Sequence, residues 1–221
     1  MAHIQHAPLN RFFLPLVLFF SLATLFAQDQ YCGGGTIYRP IVDGNHDVEI
    51  HDRSNPEDAL YANSSDLEMV TDHNTVQGKQ EIGLKFTNIF LPANAVITNA
   101  YIEFTVDYDT SEPTDLVIDI DPTASEATFQ ARISQPPARL EKAYVRWFGI
   151  PAWDRDVSPF ERTPDLSGLI QAYRSGLRQG NPNEIREIMF WITGTGSRSA
   201  KSFEGGGPPV LHIEYKFPCR E

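Results

Sequence analysis

Basic residues are scarce in this chain: 18 Lys and Arg stand against 29 Asp and Glu, giving a formal net charge of −11. That balance excludes binding to nucleic acid or anionic lipid through bulk charge, and is compatible with calcium or neutral glycans. Long apolar runs are missing after residue 27, so no transmembrane helix is expected there. Internal repeats and a second-domain boundary are missing too. Neither G-x-S-x-G nor H-E-x-x-H occurs, and cysteine is limited to Cys32 and Cys219. No nucleophile or zinc-hydrolase signature is therefore present, and the chain is read as non-catalytic.

The one apolar run opens the chain. Arg11 and two histidines precede residues 12–20, which are apolar throughout, and Ala27 stands before the polar Gln28. This is the pattern of a secretory signal over residues 1–27. The run is short and broken by Pro15, unlike a membrane span. Asp29, Gln30 and Tyr31 precede Cys32 where a lipobox would be needed, so no lipid anchor is expected. Removing 27 residues leaves 194 (28–221) and takes away Arg11 but no acid, so the net charge becomes −12. That length suits a single β-rich domain with one sizeable core, secreted or held at the cell surface.

Alternation marks the strands. Residues 37–50 read as two short strands around the turn signal Asp43-Gly44-Asn45, after a polar, Gly-rich lead-in at 28–35. Residues 65–70, 80–90, 96–106 and 116–121 alternate in the same way, with a bulge expected near Asn99 and Ala100. Residues 188–193 and 210–217 close the set. A single helix is signalled by Thr163 as N-cap, Pro164 at the first helical position and Asp165 against the dipole. Leu166, Leu169, Ile170, Tyr173 and Leu177 then form one apolar face, with Gln171 and Arg174 opposite. Residues 125–133 read as a weaker helical or extended segment. The fold class is all-β: an antiparallel, jelly-roll-like β-sandwich with one crossing α-helix.

The second half carries a series of signposts: Val145-Arg146-Trp147, Pro151-Ala152-Trp153, Thr163-Pro164-Asp165-Leu166, residues 190–196 (Phe-Trp-Ile-Thr-Gly-Thr-Gly), Ser202-Phe203-Glu204-Gly205-Gly206 and residues 209–215. In this order they resemble secreted β-sandwich modules of the carbohydrate-binding type, particularly the disaggregatase-related and DNRLRE-type domains, over roughly residues 60 to 217. The resemblance implies a non-catalytic module that engages polysaccharide or a cell-surface glycan, with a structural calcium as a possible cofactor. Cys32 and Cys219 then form a disulfide, because export favours oxidation and the first and last strands of such sandwiches often lie side by side. A second reading makes the chain a structural or adhesion subunit of a surface layer or filament, self-associating through residues 28–36. A polysaccharide-degrading enzyme is the third.

Site residues follow from the chemistry each reading requires. Sugar binding needs flat rings beside hydrogen-bonding groups. Tyr144, Trp147, Phe148 and Trp153 are the ring candidates, and Trp153, in a Pro- and Asp-rich loop with Arg146 and Arg198 as partners, is the preferred ligand contact. Trp147 is expected in the core. For calcium, Asp47, Glu49 and His51 share one strand face, as do Asp66 and Glu68. Asp66 and Glu68 are the preferred metal pair. Asp119 with Asp121, and Asp107 with Asp109, have the strand spacing a glycosidase would require, but are read as an exposed strand face or turn of a very acidic chain. Gly194-Thr195-Gly196 is read as a turn rather than a phosphate loop, and Asn63-Ser64-Ser65 is an N-glycosylation sequon.

Overall fold

A computed structural model describes residues 31–51, 59–72, 78–92, 94–122, 129, 143–177 and 184–219. The expected signal at 1–27 and, apart from Phe129, the segment 125–133 lie outside the described residues. Alternating apolar residues produce two main antiparallel sheets. The first is formed by β1 (Tyr31–Pro40), β14 (Val210–Pro218), β7 (Val96–Thr105) and β10 (Phe160–Arg162), in that order. The second runs β3 (Leu60–Tyr61), β2 (Asp47–Ile50), β5 (Glu81–Phe86), β12 (Ile188–Thr195), β8 (Asp115–Ile120) and β9 (Tyr144–Trp147). Two small pairs complete the set: β4 (Asp66–Met69) with β13 (Arg198–Lys201), and β6 (Leu91–Pro92) with β11 (Glu184–Ile185).

The main core lies between the two large sheets. Ile82, Leu84, Phe86, Ile118 and Phe190 meet Ala100, Ile102, Phe104, Leu211 and Ile213, all fully buried. The all-β sandwich with one helix is thus the architecture observed. Among the described residues no helix is long and apolar enough to cross a membrane.

The helix, α1 (Ser167–Leu177), packs against β7 and β8. Leu166, Leu169, Ile170 and Tyr173 are buried as their spacing requires. Its start lies a few residues later than expected. Thr163 extends the pairing with β7: its N–H donates to Ile102 O at 3.0 Å, and its hydroxyl accepts from Ile102 N at 3.1 Å. Asp165 caps instead, accepting from Ser167 N at 2.8 Å and from Ala100 N at 3.1 Å. Arg174 is not on a free face. It is buried and donates to the Ala95 carbonyl.

The Gly-rich lead-in is a strand. From Tyr31 onward β1 pairs with β14, from Tyr31↔Pro218 to Pro40↔Val210, which removes residues 31–36 as a free intermolecular arm. The glycines are needed because Tyr215 crosses them: a Cβ at Gly34 would stand 2.4 Å from Tyr215 O, and one at Gly35 2.7 Å from the Tyr215 hydroxyl. Cys32 and Cys219 are joined across this pair, 4.9 Å apart at Cα. The expected bulge occurs in β7, where Thr98 is the extra residue between Ile97↔Tyr215 and Asn99↔Glu214.

Candidate functional site

Strand β2 has an inverted face. Asp47 and Glu49 sit opposite Leu84 and Ile82 of β5, so they share the side that the core residues occupy. Val48 and Ile50 point the other way, into a smaller apolar cluster with Ala59, Phe129, Met189 and Trp191. Carboxylates on an interior face need polar company. Strand β4 supplies it: Leu67 and Met69 enter the main core, while Asp66 and Glu68 take the other face, with Glu68 opposite Ser199 of β13.

The result is a compact polar cluster between β2 and β4. Glu49 Oε1 accepts from Glu68 N at 2.9 Å and from Gln80 Nε2 at 2.8 Å. Gln80 Nε2 also donates to Glu68 O at 2.6 Å. The Ser64 hydroxyl donates to Asp66 Oδ1 at 3.3 Å. Glu49, Glu68 and Gln80 are all buried. Gln80 Oε1, with the whole residue only 2% exposed, has no hydrogen-bond partner among the described residues.

These groups hold protons unusually tightly. Burial, the bond to Glu49 and the charges of Glu49, Asp66 and Asp72 push Glu68 up to about 9. Burial also raises Glu49, and burial with Asp107 raises Asp66. Asp47, two residues before Glu49, is pushed up to about 7 by burial and by Glu204, against the Phe203 N–H that it accepts at 2.7 Å. Its Oδ1 is buried without a partner among the described residues. Tyr108, near the same acids, is pushed up to about 12, mainly by burial.

Asp66 and Glu68 are therefore brought together as expected, with Glu49 joining them from the neighbouring strand. His51 leaves the set and packs edge-on against Tyr61. Gln80 was missed. Its parity with Ile82, Leu84 and Phe86 was the available signal, since that alternation puts an amide on the core side. Among the described residues, no three His, Cys, Asp or Glu side chains already converge as a metal's coordination shell.

The preferred glycan contacts divide. Trp153 is 1% exposed, packed 6.2 Å from the Phe104 ring and 6.1 Å from the ring of Trp147, which is itself core. A backbone bridge between Trp153 and Thr110 draws its loop into the sandwich, so the ring is not available to a ligand. Arg198 is also buried. Its guanidinium donates to the carbonyls of Pro151, Glu112, Ser197 and Ile150 and to the Thr114 hydroxyl, at 2.6–3.0 Å. It ties loops together and has no surface to offer.

Arg146 differs. On edge strand β9 the outward residues Tyr144 and Arg146, followed by Phe148, form a continuous exposed patch. The guanidinium carbon lies 5.5 Å from the Tyr144 ring centroid and 5.6 Å from that of Phe148, and Nη2 donates to the Tyr144 hydroxyl at 3.1 Å. Asp119 and Asp121 are buried rather than exposed, because Trp191 pairs with Asp119 on the covered outer face of this sheet. On that face a concavity of about 350 Å³ is lined by Asn45, His46, Val48, Leu60, Ala62, Lys85 and Phe129. Lys85 is held there by Glu187 at 3.0 Å.

No protein-family model matches the chain, and no curated protein matches it either.

Proposed function

We propose that this is an exported, non-catalytic β-sandwich module that binds polysaccharide through the Tyr144–Arg146–Phe148 surface. The observation that carries the reading is the pairing of two exposed rings, 46% and 53% accessible, with an exposed guanidinium held between them. A pyranose packs its C–H face on such a ring while its hydroxyls take hydrogen bonds from a neighbouring donor. The cation also suits the carboxylates of acidic polysaccharides. Export is supported by the signal pattern at 1–27 and agrees with the Cys32–Cys219 bond, which oxidising compartments preserve.

Pull-down on insoluble alginate, chitin, cellulose and xylan tests the reading. Retention of the wild-type protein on at least one polymer, and its loss in a Tyr144→Ala/Phe148→Ala variant with an unchanged melting temperature, is the expected result. A protein that is retained on none of them, yet forms ordered assemblies by negative-stain imaging, would instead be the structural subunit of the second reading.

A further inference from the structure

The carboxyl cluster between β2 and β4 is not used by the proposed glycan surface, and it stands independently of it. Three acids from two facing strands meet here: Glu49 accepts from Glu68 N, the Gln80 amide bridges Glu49 and Glu68, and Asp66 shares the strand face of Glu68. The further charges acting on Asp66 and Glu68, from Asp72 and Asp107, are acidic as well. Lys201 of β13 stands opposite Asp66, whereas Glu68 faces Ser199 and Glu49 faces Ile82 and Tyr61. A buried group of this kind is stable only when it is neutralised, by protons or by a cation.

A second observation points to the cation. The Gln80 amide is wedged into the cluster by its nitrogen, which donates to Glu49 Oε1 and to Glu68 O. Its oxygen is left buried with no donor among the described residues. An amide oxygen and carboxylates are hard ligands, and an orphaned buried acceptor is costly unless something satisfies it. Reversing the amide would not help, because both partners of the nitrogen are acceptors. Only a donor or a cation can satisfy the oxygen where it lies.

We propose that Glu49, Asp66, Glu68 and the Gln80 side-chain oxygen form a binding site for a hard divalent cation, calcium in an exported protein. The ligand set contains no thiolate or imidazole, which disfavours zinc, and its oxygens come from two strands able to adjust, which suits the flexible calcium shell. Backbone carbonyl and water complete the coordination. Two carboxyl protons leaving to solvent for each divalent ion bound keep the charge of the cluster unchanged. The ion then clamps the β4–β13 pair to β2.

The test uses purified protein stripped with EDTA and re-equilibrated at neutral pH. Calcium should give a saturable heat in titration calorimetry and raise the melting temperature by several degrees, with half-saturation at or below about 1 mM, the range of extracellular modules. Glu68→Gln should lose both effects, while Asp154→Asn, an acid in the turn after Trp153, should keep them. Neither heat nor a melting shift with calcium, magnesium or manganese at about 10 mM, roughly tenfold above that range, would overturn the proposal. So would a calcium effect of equal size in Glu68→Gln. Should Glu68→Gln fail to fold, amide spectra of the wild-type protein decide: calcium must move the resonances of Glu49, Glu68 and Gln80, and shifts confined to other residues overturn the assignment.

Discussion

Glu49 and Glu68 share a hydrogen-bond network in which the backbone N–H of one meets the carboxylate of the other at 2.9 Å, with the Gln80 amide bonded to both residues. Two acids on facing strands thus act as one unit, and the unit makes stability depend on pH. In the folded protein Glu68 keeps its proton up to about 9, whereas unfolded glutamates titrate near 4.5. The native state therefore binds more protons across that window, and stability falls as pH rises through it. Asp47, Glu49 and Asp66 are raised too and act in the same direction. His46, His51 and His212 are lowered by burial, so they favour the folded state as pH rises, but only up to the ordinary histidine range. Above neutrality the acids act alone. In metal-free buffer the urea midpoint should decline between roughly pH 7 and 9, and Glu68→Gln should flatten the decline. A rising midpoint would contradict this account.

The tryptophans separate packing from contact. Trp153→Ala empties a site enclosed by Phe104 and Trp147 and should cost about 3–5 kcal/mol in urea unfolding. Trp147→Ala should behave alike. Phe148→Ala, at an exposed position, should change stability by no more than about 0.5 kcal/mol and act on binding alone.

Arg198 is expected to be a structural residue. Arg198→Met keeps much of the side-chain length but removes the bonds to four carbonyls and one hydroxyl, of which those to Ser197, Ile150 and Thr114 lie in buried surroundings. Bonds from a charged donor contribute about 1.5–3 kcal/mol each, so the loss should be at least about 3 kcal/mol. Chemical denaturation measures it, and near-wild-type stability would show that water replaces the guanidinium.

Cys32→Ser/Cys219→Ser should lower stability by roughly 2–5 kcal/mol, since the bond closes a loop of 187 residues in the unfolded chain. Peptide mapping without reductant should recover the two cysteines linked. Two alkylatable thiols in the native protein would refute the bond.

Much of the strand pattern was legible because period-2 alternation survives in β5, β8 and β14, where one face is core. The apolar face of α1 was legible for the same reason at period 3.6. The strand at β1 was not, because its glycines answer to Tyr215, a residue some 180 positions away that no local pattern contains. Trp153 misled for a related reason: proline and aspartates around it signal a loop, and a loop is read as exposed, but its backbone bridge to Thr110 turns the ring inward. Arg198 and Arg146 look alike in sequence and differ only in what the fold brings to them. The proposed metal pair Asp66 and Glu68 was readable as a shared face, whereas Glu49 and Gln80 join it through contacts between strands distant in sequence.

The inverted face of β2 carries a folding hazard. A slip of one residue against β5 would turn Val48 and Ile50 towards the main core and send Asp47 and Glu49 into the smaller apolar cluster, an exchange that leaves the apolar side chains buried. The turn before β2 is tied by Asp43, which accepts from Asn45 N and His46 N, and the register is held beyond it by the bonds of the acids to Glu68, Gln80 and Phe203. Polar groups here serve as an address label for the strand. Replacing Glu49 by valine would erase the label, and the chain would be left with two competing alignments of the same four residues.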